Sequence, residues 1–194
     1  MIIPAIAFVA GYALGPIPFA FIVTKMFGLG DIRQVGSGNV GATNVLRTGN
    51  KLAAALTFVG DVGKGVVAVL IAKYWGDDAA MAAALGAFTG HIFPVWLNFK
   101  GGKGIATCAG ILAALTPMVA LCAACTWLAT AVITRISSVA ALVTAALAPF
   151  YMLVFGTTTY AIGTTVLAAL IFITHRENIA RLASGQEPKI AQKK

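Results

Sequence analysis

Charged residues are scarce in this chain of 194 residues, and acidic residues are the scarcest of them. Only 10% of the residues are charged, with six Asp and Glu against fourteen Lys and Arg, while 59% are hydrophobic. Mean hydropathy is +0.90. Soluble domains are about 25% charged and about 45–50% apolar, so a water-soluble fold would lack the polar surface needed to cover itself. The composition excludes an ordinary soluble domain and predicts an all-α integral membrane protein.

The chain also has only three cysteines and no cluster of basic residues. The cysteines lie in apolar stretches, and Cys122 and Cys125 have CxxC spacing without a second pair, which favours packing residues over a metal site. The net charge of +8 is spread over the loops, so no separate basic region exists to bind nucleic acid. The first residues lack a basic segment, so the first apolar span is predicted to stay in the mature protein.

The apolar stretches predict about seven membrane spans. A span needs about 20 residues, and residues 105–134 are too many for one straight helix across a core of about 30 Å. Pro117 lies inside this stretch, and proline breaks a helix interior but is accepted in a first turn, which predicts two helices. The predicted spans are Ile2–Thr24 (bent at Pro16 and Pro18), Leu52–Tyr74, Ala79–Leu97, Ile105–Leu115, Pro117–Thr134, Ser138–Phe155 and Thr159–Thr174.

The cations predict how the spans are oriented. Of the fourteen Lys and Arg, Lys64 lies within a span and Lys73 falls outside, which leaves twelve on the inner side if the N-terminus is outside. This positive-inside bias predicts a cytoplasmic C-terminus and a short cytoplasmic tail, 176–194. A single domain, 1–194, is expected. Three polar blocks interrupt its apolar stretches, at 36–47, 98–104 and 175–182, and this orientation puts all three on the cytoplasmic face. One composite site at the inner membrane surface is therefore predicted.

The first polar block, 36–47, reads GSGNVGATNVLR. Gly36, Gly38 and Gly41 permit close backbone approach and an anion-binding nest of N–H groups, and Arg47 can grip phosphate with paired hydrogen bonds. The neutral hydrogen-bonding side chains are Ser37, Asn39, Thr43 and Asn44. A surface turn with helix caps is the alternative. The glycine spacing also fits a dinucleotide fingerprint, which is rejected because that motif needs a βαβ unit.

The second block, 98–104, reads NFKGGKG and precedes an apolar helix. Glycines at a helix N-terminus offer N–H groups and the positive end of the helix dipole, and two lysines complete an anion site. The block is not a Walker A motif, because glycine follows its second lysine. A basic loop that only fixes topology is the alternative. The candidate residues are Lys100, Gly101, Gly102, Lys103 and Gly104.

The third block, 175–182, begins with a histidine. His175 and Asn178 are three residues apart, so they share a helix face and are candidates to orient a substrate together. The alternative is a solvated helix start. Thr174 and Glu177 have capping-box spacing, which predicts a short interfacial helix that ends near Gly185.

Three further polar residues lie in or beside the spans. Asp61 and Lys64 are three apart within a span, where ionised groups are costly, so a salt bridge that supports a polar cavity is predicted. Direct contact of this pair with substrate is the alternative. His91 lies about two turns, roughly 10 Å, before the second block. It is interpreted equally as a substrate ligand or as a structural histidine.

Taken together and in this order, the blocks resemble the bacterial acyl-phosphate:glycerol-3-phosphate acyltransferase family (the PlsY family). The resembling segments are GSGNVGATNVLR at 36–47, DVGKG at 61–65, GHIFPVWLNFKGGKGIAT at 90–107 and HRENIARLASGQE at 175–187. The resemblance implies a seven-helix enzyme that transfers a fatty acyl group from acyl phosphate to the sn-1 hydroxyl of glycerol 3-phosphate. The implied products are lysophosphatidic acid and phosphate, in phospholipid biosynthesis.

The same resemblance implies the setting of the reaction. The enzyme is expected in the bacterial inner (plasma) membrane, in contact with lipid, with its active site facing the cytoplasm. No metal or other cofactor is expected, and the protein is expected to function as a monomer.

The mechanism expected from this resemblance is direct attack of the glycerol hydroxyl on the acyl carbonyl. The expected catalytic residues are Ser37, Arg47, Lys103, His175 and Asn178. Cationic side chains neutralise the phosphates, and Ser37 is assigned to binding because no base adjoins it. The proton goes either to His175 or to the phosphate of glycerol 3-phosphate.

A small transporter for an organic anion or a phosphate ester is the alternative function. Broken helices whose N-termini point at anions also build transport sites. The predicted clustering of the blocks on one face favours the enzyme, as does the lack of a visible inverted repeat.

Overall fold

The protein is described by a computed structural model that covers residues 2–190. Those residues form ten α-helices and no strand, which confirms the predicted all-α class. The last residues of the predicted tail, 191–194, lie outside the described part of the chain. The helices are α1 (Ile2–Leu14), α2 (Phe19–Met26), α3 (Ala42–Leu46), α4 (Lys51–Lys73), α5 (Asp77–Ile92), α6 (Ile105–Leu115), α7 (Pro117–Thr134), α8 (Ser137–Phe155), α9 (Thr158–Thr174) and α10 (Arg176–Ala183).

Five stretches of the described chain are long and apolar enough to cross a membrane. A sixth is obtained if α9 and α10, which meet at a bend of 58°, are taken as one span. Helix α6 is apolar but has only 11 residues, about 16 Å of helix. The five stretches are Ile2–Met26, Lys51–Lys73, Asp77–Leu97, Pro117–Thr134 and Ser137–Phe155.

The chain divides into two compact units. The first runs through Ala114 and holds α1 to α5 and nearly all of α6, and the second begins at Leu115 and holds α7 to α10. The first and second polar blocks therefore belong to the first unit, and the third block belongs to the second unit.

Helices α1 and α5 of the first unit pack through glycines. A Cβ added at Gly15 would lie 2.8 Å from the Cα of Gly90, and one added at Gly90 would lie 2.7 Å from the carbonyl oxygen of Tyr12. Gly11 and Gly86 face the backbone of the opposite helix in the same way. Because lipid is as apolar as leucine, membrane helices associate through such close backbone packing.

The first span is interrupted between α1 and α2, where the sequence predicts a bend at its prolines. The interruption frees carbonyl groups, which need partners inside a membrane. The Trp96 indole donates to the carbonyl oxygen of Pro16 at 2.9 Å, and the Lys64 ammonium donates to that of Ile17 at 3.2 Å. Side chains from α4 and from the end of the α5 span therefore stabilise the break.

Two further helix boundaries test the role of proline. The predicted split at Thr116-Pro117 is confirmed, because α6 ends at Leu115 and Pro117 occupies the first turn of α7. The predicted end of the third span at Leu97 agrees with the apolar stretch Asp77–Leu97, although this stretch is not one continuous α-helix. Helix α5 stops at Ile92, and Val95–Leu97 form a separate 3-10 turn, because Pro94 has no N–H to continue the helix.

Candidate active site

The first polar block folds around the buried side chain of Asn44. The Asn44 amide nitrogen donates to the carbonyl oxygens of Ile32 at 3.0 Å and Val35 at 2.9 Å. Its amide oxygen accepts from the Ser37 N–H at 3.2 Å and lies 3.5 Å from both the Ser37 hydroxyl and the Arg47 guanidinium. Asn44 thus holds Ser37 and Arg47 in place, and its contact with substrate stays a prediction.

Arg47 and Ser37 are exposed at the surface of this block. Gly36 lies against them at a φ of 53°, and an added Cβ there would lie 2.6 Å from the Arg47 Cδ. Gly36 is therefore required both by its left-handed backbone and by the space that Arg47 occupies. Gly38 also has positive φ, at 69°, but its N–H donates to the Val35 carbonyl, so that N–H already has a partner within the loop.

The glycine turn of the second block is bound to the end of α5. The Gly101 N–H donates to the Ile92 carbonyl at 3.1 Å, and the Gly102 N–H donates to the His91 carbonyl at 3.2 Å. The sequence predicted these two N–H groups as donors to an anion, and the structure corrects this because both have backbone partners. The glycines are needed here because a Cβ at either position would overlap α5 atoms.

Lys100, Lys103 and the N-terminus of α6 supply the positive charge at the second block, since the N–H groups of Gly101 and Gly102 have other partners. Lys100 is exposed and Lys103 is half-buried. Gly104, at a φ of 82°, fits beneath the ring of Phe88 and precedes the first turn of α6. The N–H groups of a first helical turn have no partner within the helix, so this end favours negative charge. The arrangement is suited to a phosphate group.

A buried ion pair lies in α4 beside this turn. The Lys64 Nζ is 2.8 Å from the Asp61 Oδ1, as the spacing predicts, and each side chain is only 3% exposed. His91 Nδ1 lies 3.5 Å from the same Asp61 oxygen. The buried imidazole thus packs against the ion pair, which supports the structural interpretation of His91.

A cleft in the first unit brings the first block, the ion pair and the glycine turn to one place. It is lined by Val40 of the first block, by Asp61, Lys64 and His91, and by Gly101 and Gly102. The interruption of the first span, residues 15–20, forms its other wall. Segments that are distant in sequence therefore meet around one small cleft, whose lining is mostly apolar and includes the buried ion pair.

The second unit holds His175 at the junction of α9 and α10. The buried ring places Nδ1 2.8 Å from the Ile171 carbonyl oxygen. A carbonyl oxygen only accepts hydrogen bonds, so this geometry assigns a proton to Nδ1 and makes Nε2 the basic nitrogen of the neutral ring.

The predicted capping box is wrong, because Thr174 ends α9 and its hydroxyl donates to the Ile171 carbonyl oxygen. Helix α10 itself is present and ends at Ala183, near Gly185 as predicted.

Glu187 organises the rest of the third block and was not singled out as a site residue from the sequence. Its Oε1 accepts from the Ser138 hydroxyl at 2.7 Å and from the Asn178 amide, and its Oε2 accepts from the Arg181 Nε at 2.7 Å. Burial raises the pKa of the Glu187 carboxyl, but these three donors outweigh it and hold the pKa below its usual value. Because only six acidic residues occur in the chain, a glutamate in a basic tail was a usable signal.

Polar loops that join cations to glycine turns, set at the ends of apolar helices, define an integral membrane protein with cationic loops. This chain belongs to the glycerol-3-phosphate acyltransferase family, whose model matches residues 5–185. The glycerol-3-phosphate acyltransferase of Caulobacter vibrioides is 57% identical over 193 residues, which cover 97% of this chain and 88% of that protein. The enzyme of the same name from Cereibacter sphaeroides is 55% identical over 186 residues, which cover 95% and 89%.

Solved structures of a relative show the same fold. The crystal structure of PlsY, an integral membrane glycerol 3-phosphate acyltransferase, in its glycerol 3-phosphate form matches with a TM-score of 0.90 and 36% identity. That match covers 96% of this chain and 94% of the other. The lysophosphatidic acid form matches with a TM-score of 0.87 and 34% identity. The resemblance read from the sequence is confirmed at the level of the family.

Proposed function

We propose that this protein transfers a fatty acyl group from acyl phosphate to the sn-1 hydroxyl of glycerol 3-phosphate, releasing lysophosphatidic acid and phosphate. Membership of the glycerol-3-phosphate acyltransferase family carries the proposal. The relative in the solved structures was crystallised in glycerol 3-phosphate and lysophosphatidic acid forms. The acyl phosphate donor is our own inference, since a mixed anhydride has a good leaving group and needs no enzyme nucleophile.

The chemistry of the two anion sites supports this reaction. Both substrates carry phosphate, and the chain supplies Arg47 in the first block and Lys100, Lys103 and the α6 N-terminus in the second. Charge-assisted hydrogen bonds to phosphate are about twice as strong as neutral ones. Holding both substrates side by side supplies much of the rate acceleration in such a transfer.

In the proposed mechanism the glycerol hydroxyl attacks the acyl carbonyl directly. The carbonyl oxygen gains negative charge in the transition state, which the cationic side chains and N–H donors stabilise. The bond between the acyl carbon and the phosphate oxygen then breaks, and phosphate leaves. The hydroxyl proton goes to the phosphate of glycerol 3-phosphate or to the Nε2 of His175, and Ser37 and Asn178 act as hydrogen-bonding residues.

We also propose the arrangement in the membrane. The chain has seven spans, of which α6 is a short one, with the N-terminus outside and the C-terminus in the cytoplasm of a bacterial cell. All three blocks then lie at the cytoplasmic face of the inner membrane, in a monomer that works as one functional domain. The excess of cations in the loops assigned to the inner side supports this orientation.

The deciding experiment is a phosphate-release assay of the purified protein. Phosphate is expected from acyl phosphate only when glycerol 3-phosphate is present, with lysophosphatidic acid formed in equal amount and with no CoA added. A requirement for acyl-CoA would reject the proposed donor. Uptake of glycerol 3-phosphate into sealed vesicles without acylation would instead support a transporter.

A further inference from the structure

Contacts within the protein occupy most of the buried ion pair that Asp61 and Lys64 form in α4. The Lys64 ammonium donates to the Asp61 carboxylate at 2.8 Å and to the Ile17 carbonyl at 3.2 Å, and it lies 5.9 Å from the centre of the Phe19 ring. These contacts occupy a side chain that is only 3% exposed. Lys64 is therefore poorly placed to neutralise a substrate phosphate, although it borders the cleft.

His91 connects this pair to the glycine turn of the second block. One ring nitrogen, Nδ1, lies 3.5 Å from Asp61, and the opposite nitrogen, Nε2, is the atom nearest to the position that a Cβ on Gly102 would take. The three atoms that would be nearest to a Cβ on Gly102 all belong to the His91 ring. The backbone of the turn is also bonded to the His91 carbonyl. The turn is thus held by the backbone and the ring of one residue.

We propose that His91, oriented by Asp61 and Lys64, is a positioning residue that fixes the Gly101–Gly102 turn in its substrate-binding conformation. Ionised groups are costly inside a membrane, and buried ion pairs often add little to stability. Here the pair orients an imidazole whose far side supports the turn between Lys100 and Lys103. This inference rests on the proposed function, because it assigns the lysines on either side of the turn, Lys100 and Lys103, to the phosphate of one of the two substrates.

The test is a double-mutant cycle at the point of contact. Gly102→Ala drives a methyl group into the His91 ring and is expected to raise KM about tenfold, with kcat nearly unchanged, for the one substrate whose phosphate Lys100 and Lys103 bind. His91→Ala is expected to raise the same KM, because it removes the support. In His91→Ala/Gly102→Ala the new methyl occupies the vacated space, so KM should be no higher than in Gly102→Ala. Such non-additivity is the signature of direct contact.

A matched control and a second readout keep the test decisive. Gly63→Ala adds a methyl on α4 where nothing lies within 4 Å, and it should leave both KM values and kcat unchanged. If the KM effects of His91→Ala and Gly102→Ala multiply in the double variant, or if kcat falls with both KM values constant, the positioning role is rejected. An inactive parent protein would instead reject the proposed function. The melting temperatures of the parent, the two single variants and the double variant would still report the contact between His91 and Gly102, because their changes would also be non-additive.

Discussion

Asn44 illustrates how one buried amide organises a polar loop. Its two ends join four backbone or side-chain partners, among them the N–H of Ser37. Asn44→Ala would remove one donor from each of the Ile32 and Val35 carbonyls, which keep the N–H groups of Val35 and Gly38 as partners. Each lost hydrogen bond is therefore expected to cost about 0.5–1.5 kcal/mol. We expect a lower melting temperature and a loss of activity of at least about tenfold, measured by thermal unfolding and phosphate release.

Gln34 supplies the control for Asn44. It is an exposed amide in the same loop, so Gln34→Ala should change neither the melting temperature nor the activity. An Asn44→Ala protein with parental activity would show that Ser37 and Arg47 need no support from this residue.

His175 permits a separate test of the proton acceptor. If its Nε2 accepts the proton, His175→Gln should lower kcat by at least ~10²-fold and remove the acidic limb of the pH–rate profile. If the substrate phosphate accepts the proton, the limb should remain, because the second pKa of a phosphate ester is about 6. The measurement is kcat against pH, at saturating substrates, for the parent and the variant. We expect the limb to remain, and its disappearance would contradict substrate-assisted transfer.

Glu187 predicts an acid-dependent stability. Its donors hold the folded-state pKa below the ordinary value of 4.5, although burial acts the other way. A depressed folded pKa stabilises the fold above the unfolded pKa, and this stability is lost as the pH falls through the folded pKa. Melting temperature should therefore fall as the pH drops below about 4.5. Glu187→Gln should lower the melting temperature at neutral pH and flatten this dependence, whereas Glu177→Gln, at an exposed position, should do neither.

At the residue scale, local spacing predicted some contacts and could not predict others. The pair Asp61 and Lys64 is three residues apart on one helix, so the sequence alone indicated its salt bridge. The Ser138 hydroxyl meets Glu187 across 49 residues, and no local pattern reports that contact. The glycine turn was predicted as a set of free donors because its backbone partners at the end of α5 depend on tertiary folding.

Among the helices, the packing of α1 against α5 through Gly11 and Gly86 leaves no room for a side chain. A Cβ on Gly86 would lie 2.8 Å from the Tyr12 nitrogen and would also overlap the backbone at Phe8. Gly86→Ala must therefore push the helices apart, and overpacking of this kind costs typically 1–3 kcal/mol. We expect a lower melting temperature in detergent. Gly63→Ala, with open space around the added methyl, should retain the parental value.

Helix boundaries followed from the sequence where proline decided them locally. Pro117 separates α6 from α7 at the residue that the sequence indicates, because a helix tolerates proline in its first turn. The third span ends at Leu97 as predicted, but the α-helix within it stops at Ile92, before Pro94. Hydropathy counts apolar residues without regard to backbone hydrogen bonding, so it predicts the span and not the end of the helix within it.

For the whole molecule, the orientation of the spans is the main prediction. After Cys108, Cys122 and Cys125 are replaced by alanine, a membrane-impermeant thiol reagent added outside should label Asp78→Cys. It should not label Gln34→Cys or Ser184→Cys until the membrane is permeabilised. The readout is mass shift on a gel for intact and permeabilised cells, with activity confirming that each protein is folded. External labelling of Gln34→Cys would contradict a cytoplasmic site.

The membrane class of the whole chain was predictable because it depends on composition, which 59% hydrophobic residues decide. The number of spans was less predictable, because α6 is too short to be counted by length and α9 and α10 are joined by a sharp bend. The single domain predicted from the sequence stays a prediction, and the structure adds a division into two compact units near Ala114. That division falls near the end of α6, and it depends on which helices pack together rather than on any local motif.

The bond between the Trp96 indole and the Pro16 carbonyl has a consequence for biosynthesis. Its two residues are 80 positions apart, and bacterial ribosomes add roughly 5–20 residues each second. After Pro16 has been made, on the order of 4–16 s pass before the ribosome adds Trp96, the donor to its carbonyl oxygen. During that interval the kinked segment depends on water, lipid headgroups or the insertion machinery for hydrogen bonds.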